Sequence, residues 1–295
     1  MRSAARCVWP AVVFAAAGAL LACQRAHVPN RETALHITAV EIRVHGGAAQ
    51  RALPAAGELR QWVTAALRRG GAVLNAPHPA ATRFAYRLQL ELGWVDLGAS
   101  AGEGAAADPT LGLAVRALAS PLRPDQNRPL QGNLALRLPA GPTALAGALR
   151  MATRRAVEGA MDELSYQGAL LGGSEARLLA ALERERGERL GHAVETAAWR
   201  RCGAAVPRLM ALLRHEDEAV ADRAIGALAA IGDRRAVPAL TRLARFEETG
   251  RLAKLIDAIA TLGGAEAHRY LEFVARGHPE PDLAAMAREA LARQR

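Results

Sequence analysis

GAAVPRLMALLRHEDEAVADRAIGALAAIGD, residues 203–233, is followed without a gap by RRAVPALTRLARFEETGRLAKLIDAIATLGG, residues 234–264. Ala205, Val206, Pro207, Leu209 and Leu212 recur 31 residues later as Ala236, Val237, Pro238, Leu240 and Leu243, and Ile225, Leu228 and Ile231 recur as Ile256, Ile259 and Leu262. A period on the order of 20 to 50 residues marks a solenoid, whose units bury their apolar faces only against their neighbours. Each unit reads as a helical hairpin. Pro207 and Pro238 fall in the first turn of a helix, where a missing N–H is harmless, and Gly232 and Gly263 stand where a second helix would end.

The same frame extends in both directions. Backwards it gives 172–202, with Leu178, Leu182, Ala193, Val194 and Ala197 at core positions; forwards it gives 265–295, with Ala267, Leu271, Val274 and Met286. A repeat domain over 172–295, in units 172–202, 203–233, 234–264 and 265–295, is therefore expected. The stretches AVPRLMALLRHEDEAVADRAIGALAAIGD and AVPALTRL resemble the HEAT-like repeats grouped with phycobilisome-lyase proteins, with the pattern A-V-P-x-L-x-x-L-L, an acidic turn, then A-x-x-A-L-x-x-I-G. The resemblance implies a protein-binding solenoid. Where that family places Arg after the Val opening the second helix, Ala221 follows Val220, so its ladder of arginines between repeats is in doubt, with Arg223 close by. Bilin-lyase activity does not transfer, because no matching catalytic residues are present.

Composition narrows the class. The chain has 295 residues, room for two ordinary domains. Hydrophobic residues make up 51% but aromatics only 4%, so the core is built from Ala, Leu and Val, which suits helices. The formal charge of +9 would hint at nucleic acid. However, Lys254 is the sole lysine among the 38 cationic residues, as the codon usage of a GC-rich genome produces. From Gly172 onward, 20 cationic and 18 acidic residues nearly cancel. No nucleic-acid partner is expected, and solvated faces account for the excess elsewhere.

The N-terminus, MRSAARCVWPAVVFAAAGALLAC, has a basic start, an apolar run over 8–22 and small residues before Cys23, the three parts of a secretory signal. Leu20-Leu21-Ala22-Cys23 resembles the lipobox of bacterial lipoproteins. That resemblance implies a lipoprotein signal peptide over 1–22, cleavage ahead of Cys23, and diacylglycerol and palmitate-type acylation there. Gln24, in place of Asp, implies transfer to the outer membrane, facing the periplasm. Two or three acyl chains would anchor the chain stably to the cell envelope. An ordinary signal cut within 15–22 is the alternative. Residues 23–34 read as a polar tether. Cys202, the cysteine remaining beyond Cys7 and Cys23, is expected to be buried and structural.

Residues 35–168 read as an α/β domain. LHITAVEIRV (35–44) is a strand whose apolar parity shifts between Ile37 and Val40, predicting a bulge. Leu59, Trp62, Val63, Ala66 and Leu67 have helical spacing, stopped by Gly70-Gly71, and Ala72–Leu74 adds a possible short strand. Over 83–96, Phe84, Tyr86, Leu88, Leu90, Leu92 and Trp94 alternate with polar or small residues, a strand with one wet face. Strands follow at 111–118 and 132–138, with an Ala/Gly-rich hairpin tip at 98–107. A helix over 142–167 carries Leu145, Leu149, Ala152, Ala156, Ala160, Met161 and Leu164 on one stripe. The fold class expected is thus an α+β two-layer sandwich (β-α-β-β-β-α), both helices on one sheet face, followed by a short all-α HEAT-like solenoid, with the N-terminal signal segment outside the fold. That order resembles envelope lipoprotein domains, among them a lipopolysaccharide-assembly lipoprotein, but no motif specific to any of them is present.

Catalytic chemistry is not signalled. GxxxxGK[ST], HExxH, GxSxG and CxxC patterns are missing from the sequence, and His27, His36, His45, His78, His192, His215, His268 and His278 lack ligand spacing. No catalytic, cofactor-binding or metal-binding residue is expected, and no small-molecule ligand. Within Arg214-His215-Glu216-Asp217-Glu218, Asp217 reads as the start of a helix. The resulting expectation is a lipid-anchored envelope scaffold or adaptor that binds a protein through its repeats. The alternative is an outer-membrane assembly or cell-wall-binding factor in which the α/β domain is the working part.

Overall fold

The computed structural model describes residues 35–45, 54–74, 84–96, 110–139, 145–245 and 247–294. The expected signal, Cys23, the tether and the hairpin tip over 98–107 lie outside the described residues.

Strand β1 (His36–His45), helix α1 (Ala56–Arg69), short strand β2 (Val73–Leu74), strands β3 (Ala85–Asp96), β4 (Thr110–Pro121) and β5 (Leu130–Pro139) and helix α2 (Leu145–Gly172) form the first layer pair. The short β2 makes the order β-α-β-β-β-β-α. The sheet order is β2-β1-β3-β4-β5. β1 runs parallel to β2 and β3, while β4 and β5 continue antiparallel. The register of β1 on β3 shifts between Ile37 and Ala39. This bulge lets Ile37 before it and Val40, Ile42 and Val44 after it all face the core.

Period two divides the sheet. Tyr86, Leu88, Leu90 and Leu92 are fully buried, joined by Leu113, Val115, Ala117 and Ala119 of β4. The opposite face carries Glu41, Arg43, Arg87, Arg116 and Arg137, all exposed. Helices α1 and α2 pack on the apolar face, with Leu59, Val63 and Leu67 meeting Val157, Met161 and Leu164 in one core. Glycines set the closest approaches. A Cβ on Gly132 of β5 would lie 2.2 Å from the carbonyl oxygen of Ala160, so a bare backbone there lets α2 rest directly on the strand.

Eight further helices pair as four hairpins: α3 (Glu175–Arg184) with α4 (Gly187–Trp199), α5 (Val206–Leu212) with α6 (Glu218–Ile231), α7 (Val237–Leu243) with α8 (Thr249–Leu262), and α9 (Ala265–Gly277) with α10 (Pro281–Arg293). Pro207 and Pro238 stand in first turns. Asp217 caps α6 by accepting the Ala219 N–H at 2.9 Å, and Gly232 ends that helix in the left-handed region at φ 81°. Leu209, Leu228, Leu240 and Ile259 are fully buried in the core these hairpins share.

The fourth unit departs from the expected pattern. Met286 is 37% exposed, not core. Helix α10 keeps the frame, with Leu283, Ala287 and Ala290 at the positions of Leu252, Ile256 and Ile259. Position 286, buried as Leu255 in α8 where α10 covers it, stays open because α10 is the last second helix of the row among the described residues.

Candidate functional site

Second helices pack in series, α4 on α6, α6 on α8 and α8 on α10, and α2 of the sandwich packs on α4 at the head of the row. Helix α2 therefore stands where a second helix of a preceding repeat would stand. Its adjacent residues Leu170 and Leu171 belong to different cores, Leu170 to the repeats and Leu171 to the sandwich. One helix thus closes both hydrophobic clusters.

Polar contacts repeat along this row. His192, Arg223 and Lys254 occupy one position of the 31-residue frame, and each reaches back to an acid on the helix before it. Lys254 pairs with Asp222. Arg223 places Nε 3.6 Å from Glu195 and a terminal nitrogen 3.9 Å from Glu188, lying across Gly191, where a Cβ would meet it at 2.2 Å. His192 places Nε2 3.5 Å from Glu163 of α2. The ladder between repeats, in doubt from Ala221, is carried instead from the position of Arg223.

A second set of arginines donates to carbonyls at the ends of neighbouring first helices, where the helix dipole is negative. Arg208 reaches Leu182 O at 3.1 Å and Arg251 reaches Leu213 O at 3.1 Å. Arg200, just past α4, reaches Leu170 O at 3.0 Å and Gly173 O at 2.8 Å, closing the C-terminus of α2.

Between β5, α2, α4 and α6 lies a polar cleft of about 670 Å³. Tyr86 donates its hydroxyl to Arg128 O at 3.1 Å, fixing the turn before β5. Arg128 then donates to Glu195 at 2.6 Å, its side chain only 18% exposed. His192, 3.7 Å away, and Arg128 hold the Glu195 carboxyl down at about 2, against the opposing pull of burial. Gln167 of α2 accepts from Gln131 N at 3.3 Å and donates to Gln131 O at 2.6 Å, standing in for a neighbouring strand at the sheet edge. Its amide nitrogen also lies 3.1 Å from His192 Nε2. Arg189 donates to Glu163 at 3.2 Å and lies over the Tyr166 ring. Glu163 and Glu195 are thus each held by a cation from the other side of the junction, while Glu188 is met by Arg223 within the repeats.

The other residues singled out from sequence disperse. His215 accepts the Asp217 N–H at 3.0 Å in its turn; His36 and His278 are buried and His45 and His268 exposed. Cys202 is buried, with Sγ 3.5 Å from Glu175, and burial pushes its thiol up. Cys23, the expected lipid site, and His27 and His78 lie outside the described residues. Arg128, Gln167 and Arg200 carry no pattern in the sequence; the frame position shared by His192, Arg223 and Lys254 was the one available signal. Among the described residues no helix is long and apolar enough to cross a membrane, and no group of three or more His, Cys, Asp or Glu is placed to hold a metal ion.

No curated protein matches the chain. A family model described as HEAT repeats matches residues 175–260 and 206–292, two matches whose starts differ by the 31-residue repeat length. Helical hairpins at that period, stacked second helix on second helix, agree with it. Residues 175–292 are HEAT-like repeats, docked on the last helix of an α/β sandwich.

Proposed function

We propose that this chain is a lipid-anchored adaptor of the bacterial cell envelope that binds a protein partner through its HEAT-like repeats. The observation carrying the reading is the unbroken row α2, α4, α6, α8 and α10, since stacked helical hairpins present extended surfaces and are used for docking. The anchor rests on Leu20-Leu21-Ala22-Cys23, and two or more acyl chains there would hold the chain at a membrane. Catalysis plays no part in this reading.

Crosslinking in intact cells with the full chain as bait tests the adaptor, and recovery of no protein would sink it. The full chain is the proper bait, because a fragment starting at 172 lacks the helix that covers α4. Labelled palmitate, incorporated by the parent and lost in Cys23→Ser, tests the anchor separately; label retained in that variant would move the attachment elsewhere.

The outward sheet face supports a second reading. Arg43, Arg87, Arg116 and Arg137 share it with Glu41 and Glu91, and Arg43 is paired with Glu41 at 2.8 Å. Arg87, Arg116 and Arg137, without a partner among the described residues, suit an anionic cell-wall polymer or assembly partner. Arg87→Ser with Arg116→Ser would abolish function under this reading and leave the adaptor intact under the first.

A further inference from the structure

The turns of the second and third repeats form a cleft of about 570 Å³ lined by Arg214, His215, Arg242, Arg245, Glu248 and Arg251, with leucines at its floor. Arg214 and Arg245 hold the same frame position one repeat apart, just past α5 and α7. Both are exposed, and neither has a partner among the described residues. Arg242, also exposed, donates Nε to Pro238 O at 2.9 Å. Arg251 is tied to Leu213 O and lies 3.8 Å from Glu248. The same rung is closed on either side: the first repeat has Glu183, paired with Arg208 at 3.3 Å, and the fourth has Arg276, paired with Glu272 at 3.3 Å. At this rung, among the described residues, only the second and third repeats present open guanidinium forks.

Glu248 lines this cleft, and the adjoining turn segments also carry exposed Glu216, Asp217, Glu218 and Glu247. Beyond about 8 Å, the screening distance at physiological salt, their charge offsets the arginines. A flat anionic surface would therefore gain little net attraction. A narrow chain entering the cleft would meet the arginine forks, which bind carboxylates in paired hydrogen bonds. Neighbouring helices stand about 8–10 Å apart, and in an extended chain of polyproline II form three residues make one turn and rise about 9 Å, so carboxylates three residues apart share a face and match successive rungs.

We propose that this cleft binds an extended acidic peptide segment of the partner, with carboxylates at positions i and i+3 seated on Arg214 and Arg245. The proposal rests on the adaptor reading and gives its partner a chemistry.

The test uses the full chain and a fluorescent seven-residue peptide of Ala and Ser bearing two Glu three residues apart. Binding is expected by anisotropy, weakening as sodium chloride rises. It should fall at least roughly tenfold in Arg214→Ser/Arg245→Ser, the loss of two charge-assisted contacts. Arg269→Ser, an exposed arginine outside the cleft, should bind as the parent does. Thermal melts of the double variant should match the parent, since both side chains are exposed. Equal binding by parent and double variant overturns the proposal, as does sedimentation with phosphatidylglycerol vesicles in place of peptide binding. Crosslinking separates the two readings: a partner fully retained by the double variant overturns this cleft alone, while peptide binding with no crosslinked partner overturns the adaptor alone.

Discussion

The sandwich and the repeats bury similar side chains by opposite routes. In the sandwich, Ile37 aligns with Leu74 on one side and Tyr86 on the other, so contacts close across long stretches of chain and the sheet forms as a whole. In the repeats, each hairpin meets its neighbours about one period away, and stability is close to a sum of local terms. The comparison teaches where the two kinds of order meet. Helix α2 belongs to both, and the repeats begin on a surface that the sheet has already placed.

The largest expected effect tests that dependence. Leu90→Ala, in the fully buried centre of β3, should cost about 2–5 kcal/mol and loosen α4 together with the sheet. Hydrogen exchange should show protection lost in both places; protection lost in the sheet alone would break the comparison. Next, Gly132→Ala pushes a methyl against the Ala160 carbonyl, with an expected loss of about 1–3 kcal/mol by urea denaturation and the same joint signature.

Smaller changes act on the seam. Arg128→Ala removes the grip on Glu195 and should cost about 1 kcal/mol, discounted because Glu195 is 38% exposed. The pH dependence follows from the same carboxylate. Its value in the folded chain, about 2, lies below the ordinary 4.5, so it stabilises above pH 4.5 and that contribution is lost as pH falls toward 2. Glu195→Gln should flatten the acid limb of melting temperature against pH; an unchanged limb would assign it to other carboxylates. Smallest of all, Lys254→Ala removes an exposed pair with Asp222, with an expected cost of about 0.2–1 kcal/mol confined to exchange in α6 and α8.

Legibility in the sequence followed the same division. The hairpins were readable because Val206 and Val237, or Ile225 and Ile256, return at a fixed interval, and the long strand because Tyr86 through Trp94 alternate. The bulge at Ile37 was readable from a shift in parity. Met286 misled because the frame gives the position but not whether a following helix covers it, as α10 covers Leu255. The junction was not readable. Arg128, Gln167 and Glu195 are brought together by packing between elements 28 to 67 residues apart in the chain, and nothing local in their neighbourhoods announces it. Cys23 lies outside the described residues, and its reading as an address rests on the sequence pattern alone.

The single helix whose neighbouring leucines face two cores has a mechanical consequence. A load applied to the repeats by a bound molecule passes along α2 into β5 without crossing a pliable joint. The sandwich then serves as a rigid bracket, and a pull felt at the far repeats is delivered to the sheet.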